Sequence, residues 1–315
     1  MELLLLSQDE VQSLLDLGEL LEGLEAGFIA LSDRKVHAPN RSEIRVSGAG
    51  HLLIKPAWLP GNPMVVKLVS TFAGNSDLGL PTIQALITLF DPSTGAPQAI
   101  MDGSYITAMR TAACAALSAR ILARENARVL AIIGAGVQGH AHLKMLPLVR
   151  EFSEVRIASL DFKAAQELSA PDSRARAVAS YQEAVTGADV VCLCTTSGTP
   201  VISIDWLSSG AHVTSVGYAP PGGELPLEII RQGRLVVESR LSFEPPPTGC
   251  GELAGLDPAM GTELGELLSG RAAGRASDSE LTVFKSMGHA MEDMVAADIV
   301  YKRALQLGVG RRAIV

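Results

Sequence analysis

The stretch from Ala127 to Gly139 constrains this chain most. An apolar run ending Val129-Leu130-Ala131-Ile132-Ile133 leads without a break into Gly134-Ala135-Gly136-Val137-Gln138-Gly139, and a helical pattern over residues 139–149 follows. Three glycines in this spacing mean little alone, but between a strand and a helix they predict a dinucleotide-binding turn. Gly134 permits the tight turn. Gly136 lets the backbone approach a pyrophosphate resting on the first amides of the helix, and Gly139 lets helix and strand pack closely. The plain alternative is an ordinary strand-to-helix turn. The alternation continues with a strand over 155–159, a helix over 163–169, an apolar strand over 189–195, and fourth and fifth strands over 212–216 and 235–238. Strands alternating with helices predict a parallel, doubly wound sheet, and an apolar strand suits one covered on both faces.

The flanks read differently. Over residues 10–31, Val11, Leu14, Leu15, Leu20, Leu21, Leu24 and Phe28 fall at helical spacing and predict one or two amphipathic helices. Short β-rich runs follow at 51–55, 64–70, 85–90 and 99–101. Pro60-Gly61-Asn62-Pro63 separates two of them, and Asp91-Pro92-Ser93-Thr94-Gly95 reads as a hairpin turn. Residues 105–123 form an Ala-rich helix, and 262–268 and 285–307 also read as helical. The last helix lies beyond the parallel-sheet module and is expected to rejoin the N-terminal domain. The chain of 315 residues then divides into 1–121 plus 286–315 and an inserted 122–285.

Charge excludes some partners. With 26 Lys+Arg against 34 Asp+Glu the net charge is −8, which repels a nucleic-acid backbone. No apolar stretch approaches the roughly 18 residues of a membrane span. The start, Met1-Glu2-Leu3-Leu4-Leu5-Leu6, lacks the basic region of a signal peptide. Cys114, Cys192, Cys194 and Cys250 show no paired CxxC spacing. They read as core thiols of a cytoplasmic protein, and no metal site is expected.

Ser159, 20 residues beyond Gly139, marks where the second strand should read a ribose. The sequence there is Ser159-Leu160-Asp161-Phe162-Lys163. Asp161 would accept from ribose hydroxyls if the strand ran two residues further, and Lys163 would meet a 2′-phosphate. Both also suit an ordinary helix start, Asp161 as N-cap. The absence of an arginine leans the reading toward NAD over NADP.

Three cations stand in neutral or apolar surroundings: Arg41, Lys67 within Val65-Val66-Lys67-Leu68-Val69, and Arg110 ahead of Thr111-Ala112-Ala113. A strand lysine between apolar neighbours needs an anion or polar partner if its face is covered. A substrate carboxylate would serve, and an amine with a lowered pKa would also relay protons. The alternative is an edge or solvent-facing lysine, and for Arg110 a surface salt bridge.

Together these residues resemble the ornithine cyclodeaminase/mu-crystallin family from about Arg41 to Ala297. The resemblance rests on Val66-Lys67-Leu68-Val69-Ser70, Gly79-Leu80-Pro81-Thr82, Met101-Asp102-Gly103 and Ile106-Thr107-Ala108-Met109-Arg110-Thr111-Ala112-Ala113. It continues through the glycine loop to Gln138, Gly187-Ala188-Asp189-Val190-Val191, and the run from Thr282 to Ala290 followed by Glu292-Asp293. It implies an α/β chain in which a Rossmann doubly wound parallel sheet is inserted in a second α+β substrate and dimerisation domain, assembled as a homodimer and using NAD or NADP. It implies that Arg41 and Lys67 hold a substrate carboxylate with Arg110 nearby, and that Lys67, beside the reacting carbon and nitrogen, is catalytic. Thr82, Arg110 and Thr111 would border the nicotinamide and phosphates, while Gly134, Gly136, Val137 and Gln138 would hold the cofactor, with Asp161 and Lys163 at its ribose.

The implied activity is hydride transfer to or from the α-carbon of a small imino or amino carboxylate: pyrroline-2-carboxylate, piperideine-2-carboxylate or alanine. The alternatives are cyclodeamination of L-ornithine to L-proline and ammonia, and a non-catalytic NAD(P)-binding crystallin-like protein. Two departures bear on them. Ala219 stands where cyclodeaminases carry a loop Asp that binds the side-chain amine, leaving Glu224 as the nearby acid. Ser159-Leu160-Asp161 also lacks the Asn-Arg-Thr that suits NADP in the ketimine reductases.

Overall fold

The computed structural model describes residues 2–314; Met1 and Val315, the two ends assigned above to the first domain, lie outside the described residues. The chain divides into two compact units, Met1–Arg110 with His289–Val315, and Thr111–Gly288.

Strand β1 (Glu2–Leu6) leads into α1 (Gln8–Leu14) and α2 (Leu17–Ser32). The expected helical region is thus two helices, because the Asp16 carboxylate caps a second start by accepting from the amides of Gly18 and Glu19. Four antiparallel neighbours follow beyond β2 (Ser42–Val46): β3 (Gly50–Ala57), β4 (Met64–Phe72), β5 (Ile83–Phe90) and β6 (Pro97–Asp102). The β5–β6 hairpin closes at the expected turn, where Asp91 Oδ1 accepts from the Ser93 amide and Gly95 sits at φ 73°. Helix α3 (Ser104–Leu122) comes next, and the unit boundary falls within it, after Arg110.

The second unit runs β7 (Val129–Ile133), α4 (Val137–Met145), β8 (Glu154–Ala158), α5 (Phe162–Ser169), β9 (Ala175–Ala177), α6 (Tyr181–Val185), β10 (Val190–Leu193), β11 (His212–Ser215), α7 (Leu227–Gln232), β12 (Arg234–Val237), β13 (Thr262–Glu263), α8 (Leu264–Leu268) and β14 (Thr282–Lys285). All eight strands pair in parallel, in the order β13-β12-β14-β11-β10-β7-β8-β9. This is the doubly wound, Rossmann-like sheet.

Two segments differ from the sequence expectation. Residues 262–268 are not one helix, since Thr262 and Glu263 first pair with β12. Residues 285–289 are not helical either. Thr282-Val283-Phe284-Lys285 is fully buried and slots between β11 and β12, and Gly288 at φ 78° keeps the helix from starting before His289.

The chain then returns to the first unit as α9 (Ala290–Leu307) and β15 (Arg311–Ile314). The mixed sheet of that unit has the order β15-β1-β6-β5-β4-β3-β2. Helix α9 packs on β3, β4 and β5 and against α2. The α2 contact depends on glycine: a Cβ at Gly27 would meet the Met291 sulfur at 2.3 Å. Strand alternation gives the sheet two characters. Leu53, Val65, Val69, Ala85, Ile87 and Leu89 are buried, whereas Ile44, Leu68 and Leu86 on the opposite face are 55%, 37% and 54% exposed.

Candidate active site

Lys67 occupies the buried face of β4, directly opposite Lys55 of β3 in the antiparallel register, and both side chains are at most 5% exposed. Two ammonium groups in such a pair repel unless an anion stands between them. Asp293, in the first turn of α9, is that anion. Its Oδ1 accepts from Lys67 Nζ at 2.8 Å and its Oδ2 from Lys55 Nζ at 3.0 Å. Lys67 is therefore neither an edge nor a solvent-facing lysine. It has an anionic partner, supplied from within the chain.

Arg110 joins from α3. Its Nε donates to Asp293 Oδ1 at 3.0 Å and its Nη1 to Glu292 Oε2 at 2.7 Å, so its ion pairs are buried rather than superficial. Glu292 also accepts from the His289 amide through Oε1, while His289 Nδ1 accepts from the Met291 amide. This reciprocal cap fixes the start of α9 and thereby both carboxylates; their negative charge also suits a helix N-terminus. Arg41, just ahead of β2, is half-buried, and its charge acts on Lys55 and His289. The structure thus gathers Arg41, Lys67 and Arg110 within one unit. Sequence reasoning missed Lys55, and it gave no role to His289, Glu292 or Asp293. The signal for Lys55 was the one used for Lys67, a cation ending an apolar run, His51-Leu52-Leu53-Ile54-Lys55.

Burial pushes the Lys67 amine down to about 7; Arg110 and Lys55 add to this, and Asp293 opposes it. Burial lowers Lys55 as well. Burial alone would raise the Asp293 carboxyl, but Lys55, Lys67 and Arg110 together hold it well below the usual carboxylate range. Burial lowers His289 to about 4, so it stays neutral near pH 7.

Thr82 is half-buried and gives its carbonyl to the Phe72 amide at 2.9 Å, beside the β4–β5 pairing. Thr111 is buried on α3 and is the first residue of the second unit. In that unit the glycine loop has the geometry that a pyrophosphate requires. Gly134 sits at φ 112°, and a Cβ there would meet the Cys194 carbonyl oxygen at 2.6 Å. A Cβ on Gly139 would meet the Gly134 carbonyl oxygen at 2.1 Å. Gly136 is the N-cap of α4, has no side-chain cap, and borders open space. Val137 and Gln138 open the helix, so their amides belong to its unsatisfied first turn. The residues present fit a dinucleotide phosphate.

The ribose end is less committed. Strand β8 stops at Ala158, so the extension that would carry Asp161 to the ribose is not formed. The Asp161 carboxylate caps α5, accepting from the amides of Lys163 and Ala164. Lys163 is exposed, with Nζ 3.5 Å from Glu167. Glu224 is consumed by loop architecture. Fully buried, it accepts from Thr195 N and Oγ1, Ser215 Oγ and Gly217 N at 2.7–2.9 Å. It pins the ends of the 195 and 217 loops together, which occupies both its oxygens.

Residues 1–308 match the profile of the ornithine cyclodeaminase/mu-crystallin family. The chain is 38% identical to ketimine reductase mu-crystallin of Mus musculus, over 94% of this chain and 96% of that one. Among solved structures it is similar to Δ1-pyrroline-2-carboxylate reductase of Thermococcus litoralis in complex with NADH and L-proline. The TM-score is 0.92 and the identity 34%, over 98% of this chain and 99% of that one. It is also similar to an archaeal alanine dehydrogenase dimer with bound NAD, with TM-score 0.92 and 33% identity, over 100% and 99% of the two chains.

Proposed function

The chain belongs to the ornithine cyclodeaminase/mu-crystallin family, and from that membership we propose that it is an NAD(P)H-dependent oxidoreductase moving hydride to or from the α-carbon of a small imino or amino carboxylate. The observation that carries the reading is the buried set of Lys67, Lys55 and Arg110 gathered around the Asp293 and Glu292 carboxylates. Cations brought from β3, β4 and α3 to one buried point suit the binding of a substrate monocarboxylate.

Arg41, Lys67 and Arg110 bind and orient that carboxylate, so that the α-carbon is held for reaction. The nicotinamide, when bound, supplies or accepts the hydride. Lys67 handles the accompanying proton. In the reductive direction its ammonium donates to the imine nitrogen, and in the oxidative direction its amine takes the proton back; a pKa near 7 suits both. In the second unit Gly134, Gly136, Val137 and Gln138 hold the pyrophosphate; Thr82 and Thr111 are further cofactor contacts, and of the two residues read at the ribose Asp161 is engaged as the cap of α5 and Lys163 is exposed. The substrate class comprises cyclic ketimines such as pyrroline-2-carboxylate and piperideine-2-carboxylate, and alanine. With Ala219 in the loop and Glu224 bound to backbone amides and hydroxyls, neither of these positions offers a carboxylate to a side-chain amine.

The exposed apolar face around Leu68 and Leu86 is the surface through which a second copy docks, in keeping with the dimer described for the archaeal relative. Four cysteines, all free and buried, support a cytoplasmic setting. No helix among the described residues is long and apolar enough to cross a membrane.

The test is a spectrophotometric screen of cyclic ketimines and amino acids with NADH, NADPH and their oxidised forms. Stoichiometric cofactor consumption with a ketimine, or reduction of the oxidised cofactor with alanine, supports the reading. Ornithine turned over without net cofactor change would establish the cyclodeaminase instead. Cofactor binding without turnover across the panel would establish a binding protein.

A further inference from the structure

The lysine pair at the centre of the site has more amines than its anion can serve. Lys55 and Lys67 are directly opposed across β3 and β4, and each holds one oxygen of Asp293. Arg110 Nε shares the Lys67 oxygen, so three donors from three elements converge on one carboxylate. We propose that Lys55 is a positioning residue for the Lys67 amine: by claiming Oδ2 of Asp293 from the opposed strand position, it denies Lys67 a carboxylate of its own and keeps that amine ready to release its proton.

The groups facing the pair can be named element by element. From β3 comes Lys55 and from β4 Lys67; from α3 comes Arg110; from the start of α9 come Glu292 and Asp293, with His289 as its cap; and ahead of β2 stands Arg41. Glu292 is held by Arg110 and the His289 amide, and its charge partly opposes the lowering of Lys55. Like charges sharing one site cannot both ionise as readily as either alone, and the pair titrates as a unit. Whichever amine gives up its proton first, removing Lys55 leaves Asp293 to Lys67 and Arg110 and takes away a neighbouring charge. Both changes favour the Lys67 ammonium. Burial alone, without Lys55, would leave Lys67 a better-compensated structural ion pair.

The inference rests on the proposed proton-transfer role of Lys67, and its test separates the two. The chain has seven lysines, few enough to follow in 13C-lysine-labelled protein, with the Lys67 signal assigned through Lys67→Arg. The Lys67 Cε signal is titrated in wild type, Lys55→Gln and Lys55→Arg, and the pH profile of kcat for imine reduction is recorded on the same proteins. Lys55→Gln keeps a donor for Asp293 while removing the charge; Lys55→Met, checked by circular dichroism, is the second neutral variant. The Lys67 midpoint is expected to rise by about 1 pH unit or more in the neutral variants and to move little in Lys55→Arg. The alkaline limb of kcat is expected to follow. An unchanged Lys67 midpoint in Lys55→Gln, or an equal rise in Lys55→Arg, overturns the inference. A midpoint that rises without the kcat limb leaves the Lys55 inference standing and removes Lys67 as the proton donor.

Discussion

Lys67 reaches Asp293 across 226 residues of chain, Nζ to Oδ1 at 2.8 Å, with both side chains essentially sealed from solvent. Asp293 is the anion around which the cations of the first unit are arranged. Asp293→Asn keeps its shape and removes its charge, leaving Lys55, Lys67 and Arg110 without that counter-charge. Breaking such a buried pair costs about 3–5 kcal/mol. Urea unfolding of the variant is expected to show a loss of that size; a loss below about 1 kcal/mol contradicts the role given to Asp293.

The glycine loop separates folding from binding. Gly134→Ala puts a Cβ 2.6 Å from the Cys194 carbonyl oxygen at a left-handed backbone position, so it lowers the melting temperature. A Cβ at Gly136 meets nothing within 4 Å, so Gly136→Ala keeps the fold. Because the Gly136 backbone is where the pyrophosphate approaches, the same change is expected to weaken NADH binding about tenfold or more in a fluorescence titration. Wild-type affinity in Gly136→Ala would place the phosphates elsewhere.

Asp161 offers a similar separation. As the cap of α5 its removal in Asp161→Ala should cost about 1 kcal/mol of stability, and Asp161→Asn should restore it. Parallel titrations with NADH and NADPH report any further work at the ribose. Asp161→Ala with wild-type stability would remove the capping role.

Acid should destabilise the second unit through two imidazoles. Burial lowers His142 to about 4 and His212 to about 3, so both are neutral in the fold. Their folded pKa values lie below the unfolded value near 6.5. The unfolded chain therefore binds more protons between pH 6.5 and 4, and stability falls as pH drops through that window. For His142 the full effect is roughly 3 kcal/mol. Its Nδ1 lies 2.8 Å from the Gln138 carbonyl oxygen, a bond the side-chain amide of His142→Asn can replace. Denaturant unfolding at pH 7 and 4.5 should show a shallower pH slope in His142→Asn, and an unchanged slope would exclude His142 as a source.

The apolar sheet face gives a prediction about assembly. Leu68→Glu adds a charge to a side chain that is 37% exposed and has little core packing to lose. Sedimentation should show the wild type as a dimer and this variant shifted toward monomer with its circular dichroism intact. A dimer unaffected by Leu68→Glu would move the interface off this face.

The parallel sheet was legible in the sequence because its strands are apolar on both faces and its loops are glycine-marked, as in β7 and β10. β14 was not. Four apolar or β-branched residues running into Lys285 read equally well as the opening of the helix that follows, and only pairing with β11 and β12 decides between them. The edge strands β2 and β15 were missed because exposed, charge-bearing segments lack a strand's apolar alternation. Lys67 was visible as a cation in an apolar run, but the need for an anion followed only if its strand face was covered, and an edge or solvent-facing lysine fitted the same pattern. Its actual partner was not legible. Asp293 lies in the first turn of a helix, where an acidic residue has a sufficient local reason to be, and nothing in one sequence joins it to a strand 226 residues earlier. Asp161 was legible as two readings, ribose acceptor and helix cap; β8 ends at Ala158, short of the extension that the first required, and the carboxylate caps α5.

Hydride transfer at a carbon whose carboxylate the buried cations hold leaves an isotopic signature in the product. Its most direct measurement uses NADH or NADPH deuterated at the transferring C4 position, a cyclic ketimine, and mass spectrometry and NMR of the amino-acid product. One deuterium at the α-carbon for each cofactor oxidised is predicted, with single-turnover transfer strongly reduced in Lys67→Ala. Cofactor oxidation with no deuterium at the α-carbon, or wild-type transfer in Lys67→Ala, would contradict the account.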